Sequence, residues 1–304
     1  MSAISGIEMA LWDIAGQACG EPIWRLLGGR YRDTVRVYAD CHAGEEETPA
    51  SYVAKARQVE ADGFDALKFD IDPLPQMRDR YSSALSASEI DQFVAVITAL
   101  REALDPATEL AIDAHWRYPP VAILEVAHRL EGLGLLWLED PIPPENVAAM
   151  RELKRQTTVP ICTGENFYTL HGFRELVQTQ AADIISPDLA KAGGIAEGKR
   201  IAELGELCYL PMAPHNICSP VGTYAAAHVC AATPNFLMLE YHHHDDQQWA
   251  GFVRAANSSA SPLGTDGHLI RRGEIALTEA PGLGLRVDEE HVRRRLKQDL
   301  GFLD

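Results

Sequence analysis

Six residues able to do acid–base or metal chemistry recur at nearly even intervals. Asp113, Glu139, Glu165, Asp188, His215 and Glu240 are separated by 26, 26, 23, 27 and 25 residues, and each closes a short apolar run. Such intervals match one strand-and-helix unit, so the six side chains gather at one end of a closed parallel sheet. Three carboxylates on neighbouring strands cannot all ionise in a small cavity without a cation. An all-oxygen set with no thiolate selects a hard ion that keeps places for water or substrate, so Asp113, Glu139 and Glu165 are read as ligands of one Mg²⁺ per chain. His215, in "APHN", lies one strand beyond Asp188, in "SPD". An aspartate fixes the tautomer of a neighbouring imidazole and supports its protonated form, as a general base requires.

Further candidates surround these six. His115 follows Asp113 by two positions, and alternation along a strand turns both toward the mouth. It then stands opposite His215 as a candidate acid; the competing role is a hydrogen bond that supports the ligands. Lys68 and Asp70 share the same alternation on an earlier strand. Lys68 suits a substrate carboxylate and Asp70 a substrate hydroxyl, against the alternative of a local ion pair. Glu240 is placed for the substrate carboxylate or at a solvated rim, and Arg117, in "HWRY", joins the substrate-binding candidates. The run "YHHHDD" at 241–246 has metal-binding residue types, but consecutive loop residues seldom converge on one ion, so it reads as a polar loop beside the mouth.

A divalent ion, a cationic lysine and a histidine base together suit removal of the weakly acidic proton α to a carboxylate. An acid on the opposite side then protonates a departing β-hydroxyl, and the enol product tautomerises to a 2-keto acid. The position two after Lys68 holds an acid, not a second lysine. No base is therefore evident for returning a proton from the other face, which argues against a two-base racemase.

The elements that must hold these residues are eight short β-rich runs: 35–40, 66–71, 110–115, 135–140, 160–165, 182–188, 210–216 and 235–241. Segments of helical periodicity alternate with them, which predicts an α/β fold of the (β/α)8 barrel type, a modified TIM barrel. The expected organisation is a leading amphipathic helix in 1–30 with Ile4, Ile7, Ala10, Leu11 and Ile14 at helical spacing, a catalytic barrel over 31–255, and a C-terminal extension over 256–304 packing outside it. Residues 71–88 form a proline-bearing loop, either a lid over the mouth or a surface insertion. The 304 residues carry a net charge of −17 with no basic stripe, which disfavours nucleic acid and anionic membrane as partners. Six scattered cysteines without C-x-x-C spacing read as reduced thiols, and no apolar window is long enough to span a bilayer. A cytoplasmic location is expected.

The stretches "SAISGIEMALWDIAGQACGEPIWRLLGG", "LKFDID", "DAHWRY", "WLEDP", "CTGEN", "SPDLAKAGGI", "APHN" and "PGLG" resemble the enolase superfamily, mandelate racemase subgroup, and within it the acid-sugar dehydratases of the galactonate and gluconate type. The resemblance spans nearly the whole chain. It implies an enolase C-terminal domain-like barrel, metal ligands Asp113, Glu139 and Glu165, a His215–Asp188 base pair, His115 as general acid and Glu240 near the substrate carboxylate. Lys68 matches the first lysine of the family's K-x-K motif, and Asp70 departs from the second. The implied reaction is Mg²⁺-dependent dehydration of a sugar acid to a 2-keto-3-deoxy acid in a homo-oligomer, with epimerisation or racemisation, or an inactive truncated barrel, as the alternatives. The resemblance also implies an N-terminal α+β capping domain, which is expected to be missing here, the first helix being read as the one that normally follows it.

Overall fold

The structure, a computed structural model, describes residues 1–44, 46–71, 85–242, 249, 251–256 and 269–295. Seven parallel strands form its centre: β1 (Thr34–Cys41), β2 (Ala66–Asp70), β3 (Glu109–Asp113), β4 (Leu138–Glu139), β5 (Ile161–Thr163), β6 (Ile184–Ile185) and β7 (Leu239–His242). They pair in the order β6-β5-β4-β3-β2-β1-β7. The expected strand at 210–216 is reduced to single contacts, with Met212 bridging Ile185 on one side and Phe236 on the other. Pro211 and Pro214 remove two amide donors there, so no continuous ladder forms. The ring nevertheless closes, because Met212 N donates to Asn235 O and Ala213 N to Ile185 O.

The barrel is filled as its topology demands. One buried cluster contains Tyr38, Ala66, Ala111, Trp137, Cys162, Ile184, Ala213 and Met238, one residue from each of the eight staves. Small residues make room for the two large rings, which meet edge to face at 5.3 Å. Two positions further along each stave stand Asp40, Lys68, Asp113, Glu139, Gly164, Ser186, His215 and Glu240, so the same alternation that fills the interior with apolar groups lifts the ionisable groups to the mouth. Gly164 is required in this layer, since a Cβ there would lie 2.6 Å from the Ser186 carbonyl carbon. The larger apolar core lies outside the sheet, beneath the helices.

The connecting helices are α1 (Ser2–Cys19), α2 (Ile23–Leu26), α3 (Pro49–Ala61), α4 (Ala87–Ala103), α5 (Pro120–Leu130), α6 (Val147–Gln156), α7 (Thr169–Gln178), α8 (Leu189–Ala192), α9 (Ile195–Glu206) and α10 (Pro220–Ala231). Local signals start them. Ser86 and Glu89 form a capping box on α4, Thr48 and Ser51 another on α3, and Pro220 opens α10. None of the described helices is long and apolar enough to cross a membrane.

Helix α1 forms as expected, with its faces reversed. Ile4, Ile7, Leu11 and Ile14 are exposed, whereas Ser5, Met9 and Gly16 face the barrel. The inward face is held by polar contacts and close backbone approach. Glu8 accepts from Ile195 N at 2.7 Å and Ala196 N at 2.9 Å, capping α9 where a negative charge favours the helix dipole, and Ser5 Oγ accepts from Gly193 N. Gly16 lies against Gly282, where any Cβ would collide.

The described part of the C-terminal segment contributes β8 (Val253–Ala255), β9 (Glu274–Ala276), β10 (Leu285–Val287) and α11 (Glu289–Arg295). β9 runs antiparallel to the start of β1, and β10 pairs with β8. Leu269, Ile275 and Leu283 are buried in the main core. Of the loop expected at 71–88, residues 72–84 lie outside the described residues, as do 243–246, and its last two residues already belong to α4.

Candidate active site

Lys68 stands at the centre of the mouth. Its buried ammonium lies 3.0 Å from Asp113 Oδ2, 3.1 Å from Glu139 Oε1 and 2.5 Å from Glu240 Oε1, below the face of Tyr38. Burial alone would lower its pKa, but Glu139, Glu240 and Asp113 outweigh that and hold it well above the ordinary lysine value. Asp113 and Glu139 are register partners on adjacent strands, so one ammonium meets both. Burial works against ionisation of Asp113, yet Lys68 and the His115 amide keep its pKa below the usual carboxylate value. Glu139 is pushed well above its usual value by burial and by Asp113 and Glu240, despite Lys68. Its other oxygen accepts from Trp137 Nε1 at 2.8 Å, two residues earlier on the same stave.

His215 lies between three acids. Its Nδ1 is 2.9 Å from Asp188 Oδ2, its Nε2 is 2.7 Å from Glu165 Oε2, and Glu240 Oε2 is 3.8 Å from Nε2. Burial pulls the imidazole pKa down, but Glu240, Asp188 and Glu165 together raise it well above the ordinary histidine value. The contact with His215 in turn holds Glu165 low against the opposing effect of burial. Asp188 is fixed from behind. Its Oδ1 accepts from Ala190 N at 2.8 Å and Lys191 N at 3.2 Å, which caps α8 and turns Oδ2 toward the imidazole.

Lys68, Asp70, Asp113, His115, Glu139, Glu165, Asp188, His215 and Glu240 lie in this mouth or at its rim, with two differences of detail. β3 ends at Asp113, so strand alternation does not reach His115. His115 and Trp116 instead take left-handed backbone conformations, φ 46° and 49°, and this turn brings His115 Nε2 to 3.9 Å from Asp113 and 3.8 Å from Asp70. Glu240 is fully buried rather than at a solvated rim, with Oε2 accepting from Asn216 N at 2.8 Å. Asp70 is buried, and burial followed by its neighbour Asp40 raises its pKa well above the usual carboxylate value. Arg117 is half-buried in the turn after His115, its amide bonded to Ala114 O.

The expected ligand trio does not converge to one point. Among the described residues, the sets whose ligand atoms lie within 4.8 Å of one another are Asp70–Asp113–His115 and Asp40–His42–His242. Lys68 draws Asp113 and Glu139 toward itself, and His215 draws Glu165. The donors still fit a hard divalent ion. All are carboxylates at adjoining stave ends, and the acids crowded here outnumber the buried cations.

Sequence reading missed several members. Asp140 is buried with φ 40°, its Oδ1 accepts from Thr163 Oγ1 at 2.5 Å, and burial with Glu165 and Asp113 raises its pKa to about 7. Only the adjacent acid in "LED" could have signalled it. Asn216, the last residue of "APHN", donates its side chain to Thr223 Oγ1 and Glu240 O. Lys191 lies 3.5 Å from Asp188 and 3.7 Å from Glu165, bringing a second ammonium to the base pair.

Residues 51–291 match the enolase C-terminal domain-like family, and residues 1–28 match the mandelate racemase/muconate lactonizing enzyme N-terminal domain. This chain is a member of the enolase superfamily. A D-xylonate dehydratase of Haloferax volcanii is 41% identical over 306 residues, a match that covers all of this chain and 72% of that protein. A D-galactonate dehydratase of Variovorax paradoxus is 32% identical, with 96% and 73% covered. A crystal structure of a mandelate racemase/muconate lactonizing enzyme-like protein from Rubrobacter xylanophilus superposes with a TM-score of 0.92 at 47% identity, covering all of this chain and 79% of that one. As a superfamily member the chain belongs to a group of enzymes, and the barrel read from its sequence is the superfamily's barrel.

Proposed function

We propose that the protein dehydrates a sugar acid of the aldonate class to the 2-keto-3-deoxy acid. The observation that carries this reading is the position of His215. Its ring is fixed by Asp188 on one side and turned into the carboxylate-lined mouth on the other, with His115 on the opposite wall.

His215 Nε2 takes the proton from C2 of the bound acid while Asp188 accepts the Nδ1–H and supports the imidazolium. For this the His215–Glu165 contact opens, since the base must be neutral when substrate arrives. Lys68, ionised and buried, faces the substrate carboxylate and stabilises the charge that develops there as the C2–H bond breaks. His115 donates a proton to the C3 hydroxyl, the C3–O bond breaks, and water leaves. The resulting enol takes a solvent proton at C3 and becomes the ketone at C2. Asp113, Glu139 and Glu165 would hold a divalent cation, which supplies Lewis-acid stabilisation of a carboxylate's added charge when bound. Asp70 in place of a second lysine leaves the far face without a strong base, which favours elimination over racemisation. The dehydratase names of relatives at 41% and 32% identity support the same reading.

The test is incubation of the full chain with Mg²⁺ and a panel of aldonates, D-xylonate, D-galactonate and D-gluconate among them, in D₂O. The expected result is a 2-keto acid from at least one, carrying solvent deuterium at C3, and lost with EDTA or His215→Asn. Deuterium at C2 with isomerised substrate and no keto acid would make the protein an epimerase. No change in any acid would reject the reading.

A further inference from the structure

We propose a second metal site at the seam where the barrel closes, formed by Asp40, His42 and His242 and selective for a transition ion of the Zn²⁺ class. The ligand atoms of these residues lie within 4.8 Å of one another. Asp40 and His242 are register partners on β1 and β7, and His42 follows Asp40 by two positions, so the strand pairing itself assembles the set.

Four further observations support it. His42 Nε2 and His242 Nε2 are 3.0 Å apart, and His242 Nε2 is 3.8 Å from Asp40 Oδ2. Ligands about 2.0–2.1 Å from a tetrahedral Zn²⁺ are separated by roughly 3.3–3.4 Å, so small side-chain movements seat an ion among them. The two rings meet edge to face at 87°, with their Nε2 atoms directed at each other. Asp40 is 3% exposed and its Oδ1 accepts no hydrogen bond. Finally, His42 Nδ1 lies 3.3 Å from Asp70 Oδ2, the carboxylate–histidine support that fixes the tautomer of a metal-bound imidazole. Two imidazoles and one carboxylate favour Zn²⁺, Co²⁺ or Ni²⁺ over Mg²⁺. The other converging set, Asp70–Asp113–His115, shares Asp113 with the active site and is part of it. An ion at the seam would tie the first stave to the last and so stabilise closure of the ring.

The experiment uses metal-stripped full chain titrated with Zn²⁺ in excess Mg²⁺, followed by calorimetry and by X-ray absorption at the zinc edge. One Zn²⁺ per chain with two imidazoles in its coordination shell is expected. His42→Gln and His242→Gln should each lose this binding, Asp70→Asn should weaken it about 10–100-fold, and Glu139→Gln should leave it intact. Folding of each variant is checked by circular dichroism in EDTA; if a histidine variant does not fold, the absorption spectrum of the unaltered protein decides. Zn²⁺ displaced by Mg²⁺, a shell with fewer than two imidazoles, or binding lost in Glu139→Gln but kept in the histidine variants would overturn the proposal. None of these readouts depends on aldonate turnover, so failure of the proposed activity is distinguishable from failure of this site.

Discussion

Replacing Asp188 with asparagine separates the two tasks of one side chain. Oδ1 caps α8 through two backbone amides, and Oδ2 receives His215 Nδ1. Asparagine keeps its oxygen on the amides, because they are donors, and must then turn its NH₂ toward His215. Nδ1 becomes an acceptor, and the neutral ring carries its proton on Nε2, the atom that must be free to take the substrate proton. A hydrogen bond to a charged group is worth about 1.5–3 kcal/mol, so losing it should lower the His215 pKa while Glu240 and Glu165 still hold it up. His215 is raised in the folded protein, so its pairing stabilises the fold fully below about pH 6.5 and is lost as pH rises through the folded value. The variant should therefore lose about 1–3 kcal/mol on the acid side and little at high pH. Loss of a positioned general base should lower kcat about a hundred- to ten-thousandfold. Imidazole ¹⁵N spectra report the tautomer, and keto-acid formation reports kcat. Asp188→Ala should cost about 1 kcal/mol more in stability at every pH, because the cap goes as well. An Asp188→Asn protein with unchanged kcat, or with Nδ1 still protonated in the neutral ring, would refute the reasoning.

Three other outcomes follow from the same structure. Gly164→Ala should lower stability by about 1–3 kcal/mol in a urea titration and reduce turnover, because the added methyl meets the Ser186 backbone and shifts Glu165. Burial and neighbouring acids raise Asp140 to about 7 and Asp40 to about 6, so in EDTA these two groups withdraw stability as pH rises from 4 toward 7, a loss that Asp140→Asn should reduce in urea titrations; the gain on adding Mg²⁺ should be larger at pH 8 than at pH 5. His228 is buried and held neutral, with burial lowering its pKa to about 4, while it accepts from Trp24 N and donates to Leu283 O. Stability should drop by about 3 kcal/mol between pH 6.5 and 4 from this group, and His228→Gln should flatten that slope.

The carboxylate-lined mouth was legible because strand alternation and strand spacing are both written in the residues. Asp113, Glu139, His215 and Glu240 sit two positions above Ala111, Trp137, Ala213 and Met238, each of which lines the interior. Contacts that depend on turns were not legible. His115 reaches Asp113 through a left-handed corner, not through alternation, and Asp140 turns inward by the same device on the next stave. The reversed face of α1 was hidden for another reason. Its apolar periodicity marks a helix, but Glu8, Ser5 and Gly16 fix which side meets the barrel, and polar or glycine contacts carry no periodic signature. His242 stands in a run of histidines, while its partners Asp40 and His42 are some two hundred residues earlier in the chain.

Closure of the ring between β1 and β7 bears on the order in which the chain is made. Synthesis delivers Lys68, Asp113 and Glu139 long before Glu240, the acid nearest the ammonium. Until the last stave has left the ribosome, β1 has an open edge and the lysine lacks its third acidic partner. An unpaired strand edge invites pairing with other chains, so the nascent protein is most exposed to misassembly just before its final stave docks. Docking of the final stave thus covers Val37–Asp40 of β1 and completes the mouth in one step, and β9 covers the start of β1 later.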